Sequence, residues 1–347
     1  MNIHEKYIKR CIQLAQNGLG TTYPNPLVGS VIVHNNTIIG EGWHKKAGEP
    51  HAEVNAIQSV KDTSLLKNAT IYVSLEPCSH FGKTPPCCDL IIKNKIPNVV
   101  IGTVDPNIKV AGNGIKKLLE AGINVTVGVL EQDCLELNKR FFTFHEKKRP
   151  FIILKWAESV DGFIAPVDRF EQKPVWITNS YSRQLVHKWR TEEQAILVGT
   201  QTVIDDNPKL NARDWYGKNP VRLVLDQKNR IPKESAIFDN QAQTIIYTNI
   251  LSTRNLENCV EKIIDFTKNI VPQIIQTLYE MDVQSVIIEG GQHTLNSFIE
   301  TNLWDEARIF IGDKPLHYGV KAPQISKSIV QKKYIVTDKL LLVKNHD

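Results

Sequence analysis

Residues 70–87 read TIYVSLEPCSHFGKTPPC, and this stretch indicates the fold class of the first half of the chain. Its opening residues are rich in β-branched and apolar side chains, which predicts a strand over Thr70–Leu75. Two consecutive prolines then precede Cys87, and proline is favoured where a helix begins, so we expect a helix over Cys87–Lys93. A strand that leads into a helix is typical of a sheet covered by helices.

The segments on both sides of this stretch continue the alternation of strands and helices. Apolar residues recur at helical spacing from Ile8 to Ala15, which predicts an amphipathic helix. Two β-branched runs, 27–34 and 38–39, flank Asn35-Asn36 and predict a β-hairpin. The pattern further predicts helices over 51–60 and 114–121 and strands over 98–104 and 124–129.

The composition changes around residues 144–150, where a polar, charged segment (HEKKRP) ends in a proline. We predict a linker there, with the end of a solvated helix as the alternative. A chain of 347 residues is about twice the usual length of one domain, so we divide it into domains 1–146 and 147–347. The second domain is predicted to contain strands over 151–155, 195–199, 221–226, 244–247 and 283–289, and helices near 180–190 and 294–301.

The composition excludes several classes of protein. Hydrophobic residues make up 41% of the chain and charged residues 23%, which is too apolar for a disordered protein. The net charge of +5 comes without the clustered basic runs of a nucleic-acid-binding surface, and it suits anionic small molecules. No apolar stretch approaches the roughly 18 residues of a membrane span, and the charged N-terminus is unlike a signal peptide. We therefore expect a cytoplasmic protein with no membrane partner and no nucleic-acid partner.

The six cysteines are too sparse for a disulfide scaffold in a chain of this length. Cys78 and Cys87 stand apart because each follows a proline and both come after the sequence Pro50-His51-Ala52-Glu53. The other four are expected to be small buried thiols: Cys11, Cys88, Cys134 and Cys259.

Together, His51, Cys78 and Cys87 predict a zinc site. One imidazole and two thiolates are suitable ligands for Zn²⁺, and three protein ligands leave a fourth position for water. Zinc lowers the pKa of a bound water to about 7, so that it can add to an amino-bearing ring carbon at neutral pH. Glu53 lies beside a ligand without being needed as one, so we predict that it carries the protons of this reaction.

The spacing of these residues supports one catalytic site and leaves two alternatives, which are a core histidine with two buried thiols and a purely structural zinc site. Residues i and i+2 inside a helix point in different directions, but His51 and Glu53 can converge where the chain enters a helix. A purely structural zinc site would need a fourth ligand such as Cys88 or His80, and it would leave Glu53 without a role. Zinc base deaminases carry the pattern H-x-E…P-C-x-x-C. Here eight residues separate the two cysteines, Cys78 and Cys87, instead of two.

This longer spacing accompanies a specific resemblance to a known family. PNPLVG (24–29), GWHKKAGEPHAE (42–53), EPCSHFGKTPPC (76–87) and DPNIKVAGNGI (105–115) are similar to the deaminase half of the RibD family of bifunctional riboflavin-biosynthesis enzymes. The resemblance implies a cytidine-deaminase-like three-layer α/β/α sandwich. It also implies zinc-dependent hydrolytic removal of the 2-amino group of 2,5-diamino-6-(5-phosphoribosylamino)pyrimidin-4-one.

The resemblance further implies roles for single residues. Lys83 lies beside a glycine in a loop, which suits a phosphate, with an exposed loop lysine as the alternative. Cys88 follows Cys87 where a small polar residue is commoner, so exchange of the metal between these two thiols is left open. The resemblance assigns zinc to His51, Cys78 and Cys87, proton transfer to Glu53, and substrate contacts to Asn25, His44 and Lys83.

The second half shows one weak phosphate-binding signal. No G-x-G-x-x-G opens a βαβ unit, but an apolar strand ends in Gly290-Gly291 before a helix. Backbone amides at such a helix start can approach a phosphate, and a plain tight turn is the alternative.

A second resemblance covers this half. LKWAESVDG (154–162), WIT (176–178), AILVG (195–199), TVIDDNPKLNAR (202–213), VRLVLD (221–226) and IIEGG (287–291) are similar, in this order, to the reductase half of the same family. The resemblance implies a dihydrofolate-reductase-like α/β domain. It also implies NADPH-dependent reduction of the ribosyl group to a ribityl side chain.

Two arginines of this half, Arg190 and Arg213, offer the planar forks of donors that suit a phosphate dianion, although either alone could be a surface residue. Lys155 would add positive charge near the reacting sugar. By position, the resemblance assigns NADPH contacts to Ala157, Trp176, Thr202, Asp206, Gly291, Gln292, His293, Thr294 and Leu295, and substrate contacts to Arg190, Leu210, Arg213 and Glu289.

The sequence therefore predicts a two-step enzyme that acts on one phosphorylated pyrimidine with zinc and NADPH, and a homo-oligomer is left open. One alternative is a nucleic-acid base deaminase of the tRNA type with a non-catalytic C-terminal domain. It requires basic and aromatic clusters, and the sequence offers only the short KK-R of the linker. Another alternative is a C-terminal half that serves assembly only, which a test of NADPH oxidation with the deaminated substrate would separate.

Overall fold

The structure is a computed structural model, and it describes residues 2–79, 85–106, 111–168, 171–252 and 256–345. The chain divides into two compact units, Met1–Lys148 and Arg149–Asp347. Among the helices within these described ranges, none combines the length and the apolar character that a membrane crossing requires.

A sheet of five strands forms the centre of the first unit. Its strands are β1 (Gly29–His34), β2 (Thr37–Trp43), β3 (Thr70–Leu75), β4 (Asn98–Thr103) and β5 (Asn124–Val127). They lie in the order β2-β1-β3-β4-β5, with β1 antiparallel to both of its neighbours and the last three strands parallel. The predicted hairpin is confirmed, and Asn35 (φ 48°) and Asn36 (φ 60°) adopt the left-handed conformation that a tight turn between β1 and β2 requires.

Helices cover both faces of this sheet. They are α1 (Ile3–Ala15), α2 (Ala52–Gln58), α3 (Cys87–Lys93), α4 (Asn113–Glu120), α5 (Glu131–Leu137) and α6 (Lys139–Lys147). Apolar residues of α2, α3 and α4 pack on one face, and those of α1 and α5 pack on the other. The first unit is thus the three-layer α/β/α sandwich predicted from the sequence.

Gly42 explains how closely α2 approaches the sheet. A Cβ atom at Gly42, on β2, would lie only 2.4 Å from the backbone nitrogen of Ala56 on α2. Since any side chain at this position would displace the helix, the glycine lets α2 lie directly against β2. This contact fixes the start of α2 relative to the sheet.

The second unit is built on a nine-stranded sheet with helices on both faces. Its strands and helices are β6 (Phe151–Glu158), β7 (Phe163–Ala165), α7 (Ser180–Glu192), β8 (Ala195–Gly199), α8 (Thr200–Asp206), β9 (Val221–Leu225), β10 (Thr244–Thr248), β11 (Cys259–Ile263), α9 (Ile270–Glu280), β12 (Ser285–Glu289), α10 (Gln292–Glu300), β13 (Glu306–Ile311), β14 (Val320–Lys321), β15 (Ile329–Ile335) and β16 (Asp338–Lys344). The sheet order is β11-β10-β9-β8-β12-β6-β13-β16-β15. The first seven strands run parallel, and β16 is antiparallel to both of its neighbours, β13 and β15, which confirms the predicted α/β class.

Two local expectations differ from the structure. Most of the segment predicted as a linker is the end of α6, which continues to Lys147 because Phe141 and Phe144 are buried on one of its sides. The helix ends at Lys148, which adopts a left-handed conformation (φ 55°). Cys259 is only half-buried on β11, whereas the other three cysteines without an assigned role are buried as expected.

Two candidate active sites

The three predicted zinc ligands meet where two helices begin. His51 is the N-cap residue of α2 and has an extended backbone (φ −70°, ψ 167°), so its side chain points away from the helix axis. Cys78 lies in the segment that follows β3, and Cys87 is the first residue of α3. The predicted convergence of His51 and Glu53 at a helix entry therefore agrees with the structure.

The distances between the ligand atoms suit a tetrahedral zinc ion. His51 Nδ1 lies 3.6 Å from Cys78 Sγ and 3.4 Å from Cys87 Sγ. All three ligand atoms lie within 4.8 Å of one another. Zn–N and Zn–S bonds of about 2.05 and 2.3 Å at tetrahedral angles place N and S about 3.5 Å apart. The residues thus fit Zn²⁺ with three protein ligands and one open position.

Cys88 does not belong to this group of ligands. Its buried Sγ donates to the carbonyl oxygens of Pro77 (3.3 Å) and Gly114 (3.6 Å). The thiol therefore points toward α4, and neither a fourth ligand nor an exchange with Cys87 is supported at this position. His80, the other residue considered for a fourth ligand, lies outside the described residues.

Glu53 lies in the first turn of α2 and is only 3% exposed. Burial raises the pKa of this carboxyl to about 7, and the charge of the Cys78 thiolate adds to the rise. Its side chain also interacts with the Cys87 thiol. A carboxyl that can hold or release a proton near neutral pH is therefore in place beside the ligand atoms.

A hydrogen bond joins the side chains of Cys78 and Cys87. A hydrogen bond from the Cys87 thiol lowers the pKa of Cys78 to about 4, against the opposing effect of burial, and the same bond raises the pKa of Cys87. The backbone N–H of Cys87 also donates to Cys78 Sγ at 3.3 Å. A divalent cation that binds both sulfurs would displace the proton of this hydrogen bond.

Two of the predicted substrate residues, Asn25 and His44, are hydrogen-bonded to each other, and His44 contacts the predicted zinc ligand His51. The amide Nδ2 of Asn25 is 3.0 Å from Nε2 of His44, and Nδ1 of His44 donates to the carbonyl oxygen of Pro50 at 3.2 Å. The rings of His44 and His51 meet edge to face at 5.4 Å. Burial lowers the pKa of His44, so this ring is held neutral in one tautomer. Lys83, the third predicted residue, lies outside the described residues.

The second unit contains a cavity of about 770 Å³ at the carboxyl ends of its parallel strands. Such an edge is where ligands bind in open α/β sheets. Most of the residues predicted for NADPH and for substrate line this one cavity: Ala157, Trp176, Thr202, Asp206, Gly291, Gln292, His293, Arg190, Leu210, Arg213 and Glu289.

The structure does not bring Thr294 and Leu295 to the cavity lining. Both side chains are buried, and Leu295 packs in the core beneath α10. The backbone N–H of Leu295 is already bonded to the carbonyl oxygen of Gly291 at 3.3 Å, because it completes the first turn of the helix. The run predicted to contact NADPH is therefore longer than the part that faces the cavity.

A buried group of charges lies on the wall of this cavity. Nη2 of Arg190 is 2.9 Å from Glu289 Oε2, and Nζ of Lys155 is 3.7 Å from Glu289 Oε1. Burial works to raise the pKa of Glu289, but the two cations outweigh it and the pKa lies below its ordinary value. Burial also lowers the pKa of Lys155.

His187 is a cavity residue that the sequence analysis missed. Its side chain is 5% exposed, and its Nε2 lies 3.2 Å from a carboxylate oxygen of Asp214. Burial lowers the pKa of His187 to about 4, and the charges of Arg190 and Arg213 contribute to the shift. His187 and Arg190 are three residues apart on α7, and this helical spacing was the available signal.

Comparison with known proteins gives two family matches. Residues 150–331 match the model of the RibD C-terminal domain. Residues 1–103 match the cytidine and deoxycytidylate deaminase zinc-binding region. Each match falls within one of the two compact units.

Whole-chain relatives carry both units. The chain is 41% identical to the riboflavin biosynthesis protein RibD of Aquifex aeolicus, over 92% of this chain and 89% of the relative. It is 40% identical to RibD of Actinobacillus pleuropneumoniae, over 89% and 83% of the two chains. A crystal structure from Thermotoga maritima described as a diaminohydroxyphosphoribosylaminopyrimidine deaminase/5-amino-6-(5-phosphoribosylamino)uracil reductase superposes with a TM-score of 0.90, 37% identity, and coverage of 99% and 98%.

Proposed function

The chain belongs to the RibD family, and from this premise we propose that it catalyses two successive reactions on one phosphorylated pyrimidine. The first is hydrolytic deamination of 2,5-diamino-6-(5-phosphoribosylamino)pyrimidin-4-one, and the second is NADPH-dependent reduction of its ribosyl group to ribityl. We assign deamination to residues 1–146 and reduction to residues 147–347. The observation that carries the proposal is the ligand spacing of His51, Cys78 and Cys87 with Glu53 buried beside them.

In the first reaction, His51, Cys78 and Cys87 would hold zinc, whose Lewis acidity would activate water toward the amino-bearing ring carbon. Glu53 takes the two protons that the water loses and delivers one to the ring nitrogen and one to the departing amino group, so that ammonia leaves and a carbonyl remains. The raised pKa of Glu53 supports this role, since a group that exchanges protons in both directions works best near the ambient pH.

Asn25 and His44 are proposed to orient the pyrimidine. Because Nδ1 of His44 donates to Pro50, its Nε2 accepts from the Asn25 amide. The amide group of Asn25 is thereby held in one orientation beside His44. A fixed amide of this kind can recognise one edge of a ring that carries both donors and acceptors.

In the second reaction, bound NADPH supplies the hydride that reduces the sugar. The cavity of about 770 Å³ lies within the usual range for small-molecule sites. Arg190 and Arg213 line it and supply guanidinium groups for the substrate phosphate. Lys155 keeps a buried cation beside Glu289, close to where the sugar would react.

A stepwise assay tests the proposal. The purified full-length chain is analysed for zinc and then given the diaminopyrimidine with NADPH, while ammonia and NADPH absorbance are followed. Ammonia release is expected before NADPH is oxidised, and addition of the deaminated intermediate is expected to remove this delay. Ammonia release without NADPH oxidation from either substrate would contradict the reductase assignment.

A further inference from the structure

The carboxylate of Glu76, two residues before Cys78, accepts four hydrogen bonds from backbone N–H groups. Its side chain is 4% exposed, and both oxygens accept backbone N–H groups. A carboxylate binds backbone N–H groups about twice as strongly as a neutral acceptor. The donors are Asp105 (3.3 Å) and Gly112 (3.0 Å) to Oε2, and Gly114 (2.9 Å) and Ile115 (3.3 Å) to Oε1.

Three of these donors belong to the start of α4. Gly112 is its N-cap residue, and Gly114 and Ile115 lie in its first turn, where backbone N–H groups have no partner within the helix. Glu76 satisfies them and places a negative charge at the positive end of the helix dipole. The carboxylate therefore fixes the beginning of α4.

The start of α4 is in turn packed against the segment that carries Cys78. A Cβ atom at Gly114 would lie only 2.2 Å from the carbonyl oxygen of Pro77, so no side chain fits there. Pro77 and Glu76 directly precede Cys78 in the sequence. The backbone of this ligand is thus held by a close contact and by the carboxylate two residues before it.

The same part of α4 contacts the helix that carries Cys87. Cys88 donates its thiol to the carbonyl oxygen of Gly114 at 3.6 Å. One turn further along, Nζ of Lys117 lies 2.5 Å from Oδ1 of Asp89 on α3. The sequence neighbours of both cysteines, Pro77 before Cys78 and Cys88 after Cys87, therefore contact one backbone segment, the start of α4.

We propose that Glu76 is a positioning residue of the zinc site, which holds Cys78 and Cys87 at ligand spacing by fixing the start of α4 against both. The inference rests on the proposed deaminase function. Within the described residues, Glu76 itself bonds to the backbone of Asp105 and of the start of α4 and not to the ligand atoms, so it acts through the geometry of the two sulfurs. Groups that orient metal ligands in this way typically change metal affinity or activity by about 10–100-fold when they are replaced.

The variant that tests this role is Glu76→Gln. Glutamine has the same shape, but it keeps one acceptor oxygen and introduces an NH₂ group opposite two N–H donors. The zinc-loaded full-length variant is mixed with a chromophoric chelator, and we expect zinc release about 10–100-fold faster than from the unaltered protein. The cobalt-substituted variant is expected to show a shifted thiolate-to-cobalt charge-transfer band, and reductase kcat/KM is expected to remain unchanged.

Glu120→Gln is the matched control. Glu120 is an exposed carboxylate on the same helix, 3.9 Å from Lys116, and zinc release is expected to stay within twofold of the unaltered protein. Release from Glu76→Gln within the same twofold range, with an unshifted cobalt band, would overturn the inference while leaving the deaminase function intact. An unaltered protein that binds no zinc would overturn both.

A milder variant keeps the inference testable if Glu76→Gln does not fold. Cys88→Ala removes the thiol contacts with Pro77 and Gly114 without touching a predicted ligand. We expect zinc release about threefold faster from this variant, in line with the loss of a weak hydrogen bond in the same packing. Equal release from Cys88→Ala and the unaltered protein would then count against a positioning role for the start of α4.

Discussion

Each of the two units contains a buried glutamate in its predicted site, Glu53 in the first and Glu289 in the second. The pKa values of these two carboxyls are shifted in opposite directions. Burial raises the pKa of Glu53 to about 7, with a thiolate as its neighbour. Burial also acts on Glu289, but Arg190 and Lys155 outweigh it and lower the pKa. Neighbouring charge therefore decides which carboxyl can exchange a proton and which one remains a fixed anion.

The surroundings of the two glutamates differ in the same way. Around Glu53, three ligand atoms lie within 4.8 Å of one another on short segments at helix starts. Around Glu289, the lining of a cavity of about 770 Å³ comes from the ends of several strands and helices. A metal site requires a few atoms at fixed distances, whereas a cavity for a cofactor and a substrate requires an extended surface.

The largest effect is expected from a substitution that removes proton exchange at Glu53. Glu53→Gln is expected to lower deaminase kcat by about 10³-fold, since general acid–base groups contribute 10²–10⁴-fold. Zinc content and reduction of the deaminated intermediate are expected to stay unchanged, which metal analysis and NADPH absorbance measure. Deaminase activity within tenfold of the unaltered protein would contradict the role of Glu53.

The next largest effect is a loss of stability when the negative charge of Glu289 is removed. Glu289→Gln leaves two buried cations, Arg190 and Lys155, without their counter-charge, and we expect the free energy of unfolding of the second unit to fall by about 3 kcal/mol. Urea unfolding followed by tryptophan fluorescence measures it, because all six tryptophans except Trp43 lie in the second unit. A change below 1 kcal/mol would show that the cations do not depend on this carboxylate.

A smaller effect is expected from a substitution at Arg213, which distinguishes binding of the phosphorylated substrate from binding of NADPH. Arg213→Ala is expected to raise the KM for the phosphorylated substrate on the order of 50-fold, because it removes one guanidinium partner of the phosphate. The KM for NADPH is expected to change less than threefold. Initial-rate measurements with each ligand varied in turn test this, and an effect confined to NADPH would reassign Arg213 to the cofactor.

The smallest effect is a pH dependence at His187. The pKa of His187 is about 4 in the folded protein and about 6.5 in an unfolded chain, so the unfolded state binds more protons between these values and stability falls as pH falls. The charged groups that face it are Arg190, Arg213, Asp214 and Glu289. Between pH 7 and 4.5, His187→Gln is expected to lose about 2 kcal/mol less unfolding free energy than the unaltered protein.

Urea unfolding at both pH values measures this difference with the same fluorescence probe. Asp214→Asn serves as a comparison, because it removes the partner of His187 without removing the titrating ring. Parallel loss of stability in His187→Gln and the unaltered protein would exclude a shifted His187.

Local sequence predicted the elements that carry the zinc ligands. The expected strand Thr70–Leu75 and helix Cys87–Lys93 agree with the structure to the residue, because β-branched residues and a Pro-Pro helix entry are local signals. The proximity of His51, Cys78 and Cys87 could be predicted from their chemistry, since one imidazole and two thiolates at helix starts are suitable ligands for one Zn²⁺ ion.

Other parts depended on contacts that sequence does not reveal. Glu76 was recognised only as part of a motif, since its four donors lie 29 to 39 residues further along the chain. The strands after Ile311 were not predicted, because β15 is exposed over most of its length and lacks the alternation of a half-buried strand. The end of α6 was predicted as a linker because it is charged, although the helix buries apolar residues before that end.

The position of β15 has a consequence for how the protein behaves at high concentration. β15 is the last strand in the nine-stranded order, so within the described chain no other strand covers its outer edge. An uncovered edge can template the addition of a foreign strand and lead to aggregation. Lys332 and Lys333 are exposed on this strand, and adjacent positive charges of this kind discourage such growth.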